Sequence, residues 1–132
     1  MEPDETDHSN RHFNSYETIL IDIAKKNGGF VSFARYPIQD LNIPDPDQMT
    51  KILDAIDEAI DSRKPVYVHC WGGIGRTGTV VGCFLIRHGM ATGSNVLDVI
   101  HQLRKNDSKD SRMSPETSAQ VNFVRTWGQI QK

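Results

Sequence analysis

Apolar residues recur at every third or fourth position in several stretches of the chain, which is the spacing of an amphipathic α-helix. A first helix is predicted to begin at a Ser15 cap and to stop at residues 27–29, Asn-Gly-Gly. Its apolar stripe consists of Ile19, Leu20, Ile23 and Ala24. A second helix is predicted from an Asp45 cap, with Pro46 and Gln48 at its first and third positions. The stripe of this helix consists of Met49, Ile52, Leu53, Ile56 and Ile60.

Three more helices are predicted in the second half of the chain. One runs from a glycine-rich segment to about His88, and the next begins at a Ser94 cap. In the helix that begins at Ser94, the residues expected to face inward are Val96, Leu97, Ile100 and Leu103. The last helix is predicted to open at Ser114 and Pro115, since proline suits the first helical turn. Its apolar residues are Val121, Phe123, Val124, Trp127 and Ile130.

Two short segments have the composition of β-strands. Residues 30–36 are rich in aromatic and β-branched residues and end before Pro37, and residues 66–70 form a short run that we expect to be buried. Alternation of these segments with helices predicts an α/β domain with a small, mainly parallel sheet flanked by helices. Residues 1–14 show no hydrophobic period, so we expect a flexible N-terminal segment followed by one catalytic domain over residues 15–132.

Composition narrows the class of protein. The 132 residues include 15 Lys and Arg against 17 Asp and Glu, a formal net charge of -2, which argues against a broadly basic surface for nucleic acid. No apolar run approaches the ~20 residues of a membrane span, so no membrane partner is expected. Cys70 and Cys83 are the only cysteines, and the sequence shows no secretory leader. These features favour a reducing compartment, and we expect a cytoplasmic protein.

The segment from His69 to Gly78 follows a predicted strand and opens a predicted helix, a position where backbone N–H groups often cradle phosphate. A Walker phosphate-binding loop is excluded because the segment contains no lysine. A dinucleotide fold would need a second strand after the helix, and residues 89–94 indicate a turn instead. Neither glycine pattern explains the combination of Cys70, Arg76 and Thr77.

Those three residues have a spacing that makes chemical sense. A cysteine at a helix N-terminus, facing N–H donors and a guanidinium, has a stabilised thiolate and is nucleophilic at neutral pH. The planar fork of Arg76 suits two phosphoryl oxygens, in the ground state and in the transition state. The alternative, a buried cysteine in a tight turn, leaves the arginine, the hydroxyl and the glycines unexplained.

Residues 69–78, HCWGGIGRTG, match the signature H-C-x-x-G-x-x-R-[ST]-G. The chain therefore resembles the cysteine-dependent protein tyrosine phosphatase superfamily. The resemblance implies that Cys70 attacks phosphorus, Arg76 binds and stabilises the phosphoryl group, and the Thr77 hydroxyl eases departure of the thiolate. It also implies a phosphate-binding loop made of Trp71, Gly72, Gly73, Ile74, Gly75 and Arg76. His69 is expected to order the loop, and Trp71 either walls the pocket or packs against a neighbouring loop.

A general acid must protonate the leaving oxygen. Asp45 and Asp47 have tasks at the start of a helix, whereas Asp40 has none. Residues 37–44 also resemble the Pro-Ile-Pro-Asp loop of small dual-specificity and archaeal or bacterial phosphatases, although Gln39 replaces the second proline. The resemblance makes Asp40 the acid; the alternative is a solvated loop carboxylate.

The remaining candidates carry open alternatives. Residues 114–120 are similar to a late Glu-Thr-x-x-Gln segment of those phosphatases, which implies that Gln120 helps to place the hydrolytic water; otherwise Gln120 is a polar residue at a helix edge. Arg112 contacts substrate or is a solvated charge. Cys83 is expected to be a core residue, with a disulfide to Cys70 as the alternative.

The predicted activity is metal-independent and cofactor-free hydrolysis of phosphomonoesters. The absence of lysine from the signature favours a phosphotyrosine-containing protein or peptide, with phosphoserine, phosphothreonine and inositol phosphates as alternatives. A phosphate-binding module without turnover is a second hypothesis, and a thiol oxidoreductase is a third. Members of the superfamily have two or three further strands near the N-terminus, so we expect a shortened domain that is a monomer or a strand-completing homodimer.

Overall fold

The computed structural model describes residues 1–131, and helices are its main secondary structure. The five helices in this range are α1 (Glu17–Lys26), α2 (Pro46–Asp61), α3 (Gly75–Arg87), α4 (Val96–Leu103) and α5 (Ser118–Ile130). Every one of them falls short of the length and apolar character that crossing a lipid bilayer requires.

The predicted α/β fold with a parallel sheet is wrong. Residues 30–36 and 66–70 are extended but form no strand, and the β-pairing within residues 1–131 is a single antiparallel bridge between Thr6 and His12. The expected burial is also missing, since Phe30 is 80% exposed and Tyr67 is 87% exposed. Without a neighbouring strand, an extended segment leaves its backbone groups to water, and a two-stranded sheet is marginal even when it forms.

The chain divides into two compact units, Met1–Pro37 and a second one from Ile38 onward. In the first unit α1 buries none of its residues, so the predicted stripe is not covered: Ile19 is 61% exposed and Ile23 is 51% exposed. The helix does end where the sequence predicts, because Gly28 takes a φ of 72° and donates its N–H to the Lys25 carbonyl. The predicted flexibility of residues 1–14 stays a prediction.

The second unit has α3 at its centre, packed against α2, α4 and α5. Gly82 permits this packing, since a Cβ there would meet Val124 of α5 and come within 3.3 Å of Ile100 of α4. The core contains predicted apolar residues of α2, α4 and α5, among them Met49, Leu53, Val96, Val124 and Trp127, each 0% exposed. Stripe residues at the C-terminal ends of α2 and α4 are exposed, as Ile60 and Leu103 show.

Helix starts were predicted with mixed success. The Asp45 carboxylate accepts the Gln48 N–H at 2.9 Å, which confirms the cap of α2. The predicted Ser15 and Ser94 caps are wrong. The N-cap residue is Tyr16 in α1 and Asn95 in α4, and neither side chain makes a capping hydrogen bond. The predicted start of α5 at Ser114 is also wrong: the N-cap is Thr117.

Candidate active site

The signature loop, residues 69–78, joins an extended segment to the first turn of α3. Gly73 has a φ of 68°, a left-handed conformation that glycine adopts without steric cost. The backbone N–H groups of Gly73 and Thr77 both point at the sulfur of Cys70. The geometry has the form expected of an anion-binding loop.

Cys70 is a half-buried free thiol with an altered acidity. Burial acts to raise the pKa of Cys70, because the charged form loses water. Other contributions outweigh burial, so the pKa of Cys70 is lowered overall. They are hydrogen bonds from the hydroxyl and the backbone N–H of Thr77, a hydrogen bond from the Gly73 N–H, and the charge of Arg76. A lowered pKa increases the thiolate fraction at neutral pH, which is what a nucleophilic role requires.

The hydroxyl of Thr77 makes a loose contact with that sulfur. It is buried and forms no hydrogen bond of good geometry within residues 1–131, yet it contributes to lowering the pKa of Cys70. The backbone N–H groups of Thr77 and Gly73 also lower this pKa. The predicted role of Thr77 in departure of the thiolate stays a prediction.

Arg76 is 4% exposed and lies in the first turn of α3. Its Nη1 donates to the Ile38 carbonyl at 3.0 Å, and its Nη2 lies 3.1 Å from Oδ1 of Asp40. A guanidinium donates in two directions from one plane, so it can hold a loop and an anion at once. The signature loop is thereby joined to residues 38–44, here called the acid loop.

The acid loop presents Asp40 on a tight turn. The Asn42 N–H donates to the Gln39 carbonyl at 3.1 Å, and Leu41 has a φ of 62°. These are the features of a type II turn with Asp40 at its second position. The Asp40 side chain is 58% exposed, which leaves it accessible to a bound substrate.

Two glycines of the signature loop permit close approach of other segments. A Cβ on Gly78 would collide with the Ser114 hydroxyl and lie 3.2 Å from the backbone of Pro115. That hydroxyl donates to the Ile74 carbonyl at 2.7 Å, which fixes the loop just before α3 begins. A Cβ on Gly75 would lie 3.0 Å from the amide oxygen of Gln120.

A basic segment, residues 104–112, lies beside the signature loop. The guanidinium of Arg104 donates to the carbonyls of Arg112 and Lys109, at 2.7 and 2.8 Å, and so shapes the segment. The ammonium of Lys109 donates to the Gly72 carbonyl at 3.2 Å. A cation from outside the signature therefore lies against it.

The other predicted site residues have the following positions. His69 Nδ1 is 3.1 Å from the Cys70 carbonyl oxygen, and its ring stacks on Tyr67, consistent with a role in ordering the loop. Trp71 is 45% exposed, and its two interpretations remain predictions. Arg112 pairs with Glu116 at 2.6 Å.

Cys83 and Gln120 are fully buried side chains. Cys83 is a free thiol whose pKa is raised by burial, so the core interpretation fits and no disulfide joins it to Cys70. Gln120 is 0% exposed and completes a capping box with Thr117. The Gln120 side chain is thus shielded from solvent, and both interpretations of its role stay predictions.

Sequence reasoning missed three residues that shape the site. Lys109 and Arg104 were not singled out, and a mixed-charge segment gives no signal of what it contacts. Thr117 was recoverable, because Thr-x-x-Gln before an apolar run is a capping-box pattern.

Comparison with protein families gives a match for residues 15–90 to the family described as "Polymorphic toxin system, DSP-PTPase phosphatase". The match covers more than half of the chain. The chain belongs to this family. Membership supports a dual-specificity phosphatase-like relationship and phosphatase activity in general, and the matched range includes both the acid loop and the signature loop. Gln120 lies beyond it.

One curated relative is an uncharacterized protein of Methanocaldococcus jannaschii, 30% identical over 96 residues, which are 73% of this chain and 55% of that protein. The chain thus spans about half the length of this relative. No solved structure matches the chain.

Proposed function

We propose that the chain is a cysteine-dependent phosphomonoesterase that hydrolyses phosphotyrosine in proteins or peptides through a cysteinyl-phosphate. The observation that supports this proposal is the setting of Cys70, whose pKa is lowered by N–H donors of the signature loop and by Arg76. An inert structural thiol would resemble Cys83 instead, with its pKa raised by burial.

In the first step the Cys70 thiolate attacks phosphorus, and the bond between phosphorus and the ester oxygen breaks. The Asp40 carboxyl gives its proton to the leaving oxygen, so that a tyrosine departs as the neutral phenol. Arg76 and the loop N–H groups hold the phosphoryl oxygens while charge redistributes. Phosphate binding displaces the Asp40 carboxylate from Arg76, and the displaced carboxylate takes up a proton from solvent, which it then gives to the leaving oxygen.

In the second step the Asp40 carboxylate takes a proton from water as the water oxygen attacks phosphorus. The bond between sulfur and phosphorus breaks, inorganic phosphate leaves, and the thiolate returns. The Thr77 hydroxyl, which contributes to lowering the pKa of Cys70, stabilises the departing thiolate. A reducing, cytoplasmic location belongs to the proposal, because the nucleophile must stay a free thiol.

Hydrolysis of p-nitrophenyl phosphate and of a phosphotyrosine peptide, in EDTA, tests the proposal with wild type, Cys70→Ser and Asp40→Asn. Turnover by wild type, none by Cys70→Ser, and a loss of about 10²- to 10⁴-fold in Asp40→Asn with a poor leaving group are expected. Cys83→Ser is the matched control and should keep its activity. Phosphoserine peptides and inositol phosphates in the same assay define the substrate class.

Two outcomes would contradict the proposal. Activity that survives Cys70→Ser would exclude the cysteinyl-phosphate. A wild-type protein that binds vanadate but hydrolyses no ester would indicate the alternative, a phosphate-binding module. The pair of Arg76 and Asp40 would then be the anion-free state of that module.

A further inference from the structure

Gln120 is a buried amide with three hydrogen bonds to backbone. Its Oε1 accepts the N–H groups of Glu116 and Thr117, each at 3.1 Å, and its Nε2 donates to the Asn42 carbonyl at 3.1 Å. The side chain is 0% exposed. The first turn of α5 is therefore tied to the acid loop by one side chain.

The same amide contacts the signature loop. A Cβ on Gly75 would lie 3.0 Å from Oε1 and 3.2 Å from Nε2 of Gln120, so the amide packs directly on this glycine. Gly75 immediately precedes Arg76 in the first turn of α3. Gln120 thus touches the two loops that carry the proposed acid and the proposed phosphate ligand.

The acid loop needs such support because one residue of its turn, Leu41, has a left-handed backbone conformation although it is not a glycine. Leu41 at φ 62° brings its Cβ too close to the neighbouring carbonyl oxygen and is strained relative to ordinary backbone. Strained residues of this kind persist where surrounding contacts hold them. Here the Leu41 carbonyl accepts from the Thr117 hydroxyl at 3.3 Å, and the next carbonyl, that of Asn42, accepts from Gln120.

The bonding of Gln120 favours a positioning role over direct contact with the hydrolytic water. An amide oxygen has two lone pairs, and both are taken by backbone N–H groups. The oxygen therefore has no lone pair left to orient a water proton. What the side chain determines is the position of the Asn42 carbonyl, two residues after Asp40.

We propose that Gln120 is a positioning residue that fixes the acid loop, and through it Asp40, above the signature loop. This inference rests on the proposed function for its catalytic readout. It has a structural consequence that does not depend on turnover. Removing the amide should loosen residues 38–44 and leave the sulfur of Cys70 in place.

The kinetic test compares kcat/KM for phenyl phosphate and p-nitrophenyl phosphate in wild type and Gln120→Met. Phenyl phosphate needs the acid more, so its kcat/KM should fall by about tenfold or more, and that for p-nitrophenyl phosphate should fall less. In an Asp40→Asn background the same change should cost little, because Gln120 acts through Asp40. Gln129→Met, an exposed glutamine of α5, is the matched control.

Two kinetic results would overturn the inference. A lower kcat with unchanged kcat/KM would assign Gln120 to the hydrolytic water, since kcat/KM ends at phosphoryl transfer to Cys70. An equal loss for both esters, additive with Asp40→Asn, would indicate general damage to the site.

Hydrogen exchange supplies the readout that needs no activity. Residues 38–44 should exchange faster in Gln120→Met than in wild type, and peptides from α2 should be unchanged. Gln120→Asn, too short to reach Asn42 from the cap, provides a second variant if Gln120→Met does not fold. Unchanged exchange in the acid loop would overturn the positioning role, even if the wild-type protein proved inert. Faster exchange in the variant of an inert wild-type protein would reject only the proposed function.

Discussion

Oδ1 of Asp40 lies 3.1 Å from Nη2 of Arg76, so the proposed general acid is paired with the proposed phosphate ligand. The second terminal nitrogen of Arg76 donates to the Ile38 carbonyl of the same loop. One guanidinium therefore holds the acid loop by its backbone and by its carboxylate. Only the contact with the Asp40 carboxylate must be broken for a phosphoryl group to bind the guanidinium.

This pairing predicts that Asp40→Asn tightens the binding of inorganic phosphate. The carboxylate competes with the anion for Arg76 and also repels it. Because the Asp40 side chain is 58% exposed, the pair contributes only about 0.2–1 kcal/mol, which corresponds to at most about a fivefold gain in affinity. The affinity for inorganic phosphate is measured as its inhibition constant in the hydrolysis of p-nitrophenyl phosphate.

Asp47→Asn is the matched control, because Asp47 is an exposed acid in the first turn of α2. Its inhibition constant should equal that of wild type. Weaker phosphate binding by Asp40→Asn would instead mean that Asp40 helps to bind the anion.

The lowered pKa of Cys70 predicts an alkylation profile with a low midpoint. Iodoacetamide reacts with the thiolate, so the rate of alkylation rises through the pKa of Cys70, and the midpoint should lie below that of an ordinary cysteine. Thr77→Val removes a hydroxyl that lowers this pKa, and the midpoint should move to higher pH. Mass spectrometry of the labelled protein follows the rate.

Thr77→Ser is the conservative variant and should keep the low midpoint. Cys83 should stay unlabelled in the folded protein, because it is buried and burial raises its pKa. An unshifted midpoint in Thr77→Val would show that the backbone donors and Arg76 suffice to lower the pKa of Cys70.

The glycines of the signature loop should differ in their tolerance of alanine. Within α3, replacing a glycine with alanine would ordinarily stabilise the helix, but a Cβ on Gly78 would collide with Ser114. Gly78→Ala should therefore lower the free energy of unfolding by about 1–3 kcal/mol, measured with urea. Gly72→Ala, whose Cβ would meet nothing within 4 Å, should change it by less than about 0.5 kcal/mol.

Equal stability of Gly78→Ala and wild type would contradict the close approach of Ser114. Combining Gly78→Ala with Ser114→Ala should recover part of the loss, since the second change removes the colliding oxygen. Ser114→Ala alone supplies the reference for its lost hydrogen bond to Ile74.

The position of Lys109 predicts a preference for acidic residues beside the phosphotyrosine. Its ammonium, held at the Gly72 carbonyl, attracts negative charge near the signature loop. Lys109→Ala should raise KM for an acidic phosphopeptide by about two- to fivefold and leave a neutral one unchanged. Lys105→Ala, an exposed lysine of the same segment, is the control, and an equal effect in both variants would indicate bulk charge only.

The signature loop was readable from sequence because its chemistry is local. Cys70, Arg76 and Thr77 lie within one loop and one helical turn, so their spacing alone brings them together. The pairing of Asp40 with Arg76 depends on how the acid loop folds back, and sequence could only rank Asp40 above Asp45 and Asp47. The contact of Lys109 with Gly72 had no sequence signal, since any lysine on that segment would look the same.

Local pattern likewise determined where helices form, because caps and apolar spacing act within a few residues: the Asp45 cap of α2 and the glycine stop of α1 are correct. The predicted sheet failed because a strand exists only through its neighbour, and composition at residues 30–36 and 66–70 says nothing of pairing. Burial of Gln120 against Gly75 and Asn42 was decided by tertiary packing alone. The sequence by itself thus determined the helices and the candidate nucleophile, whereas the long-range contacts around the proposed acid depended on the folded chain.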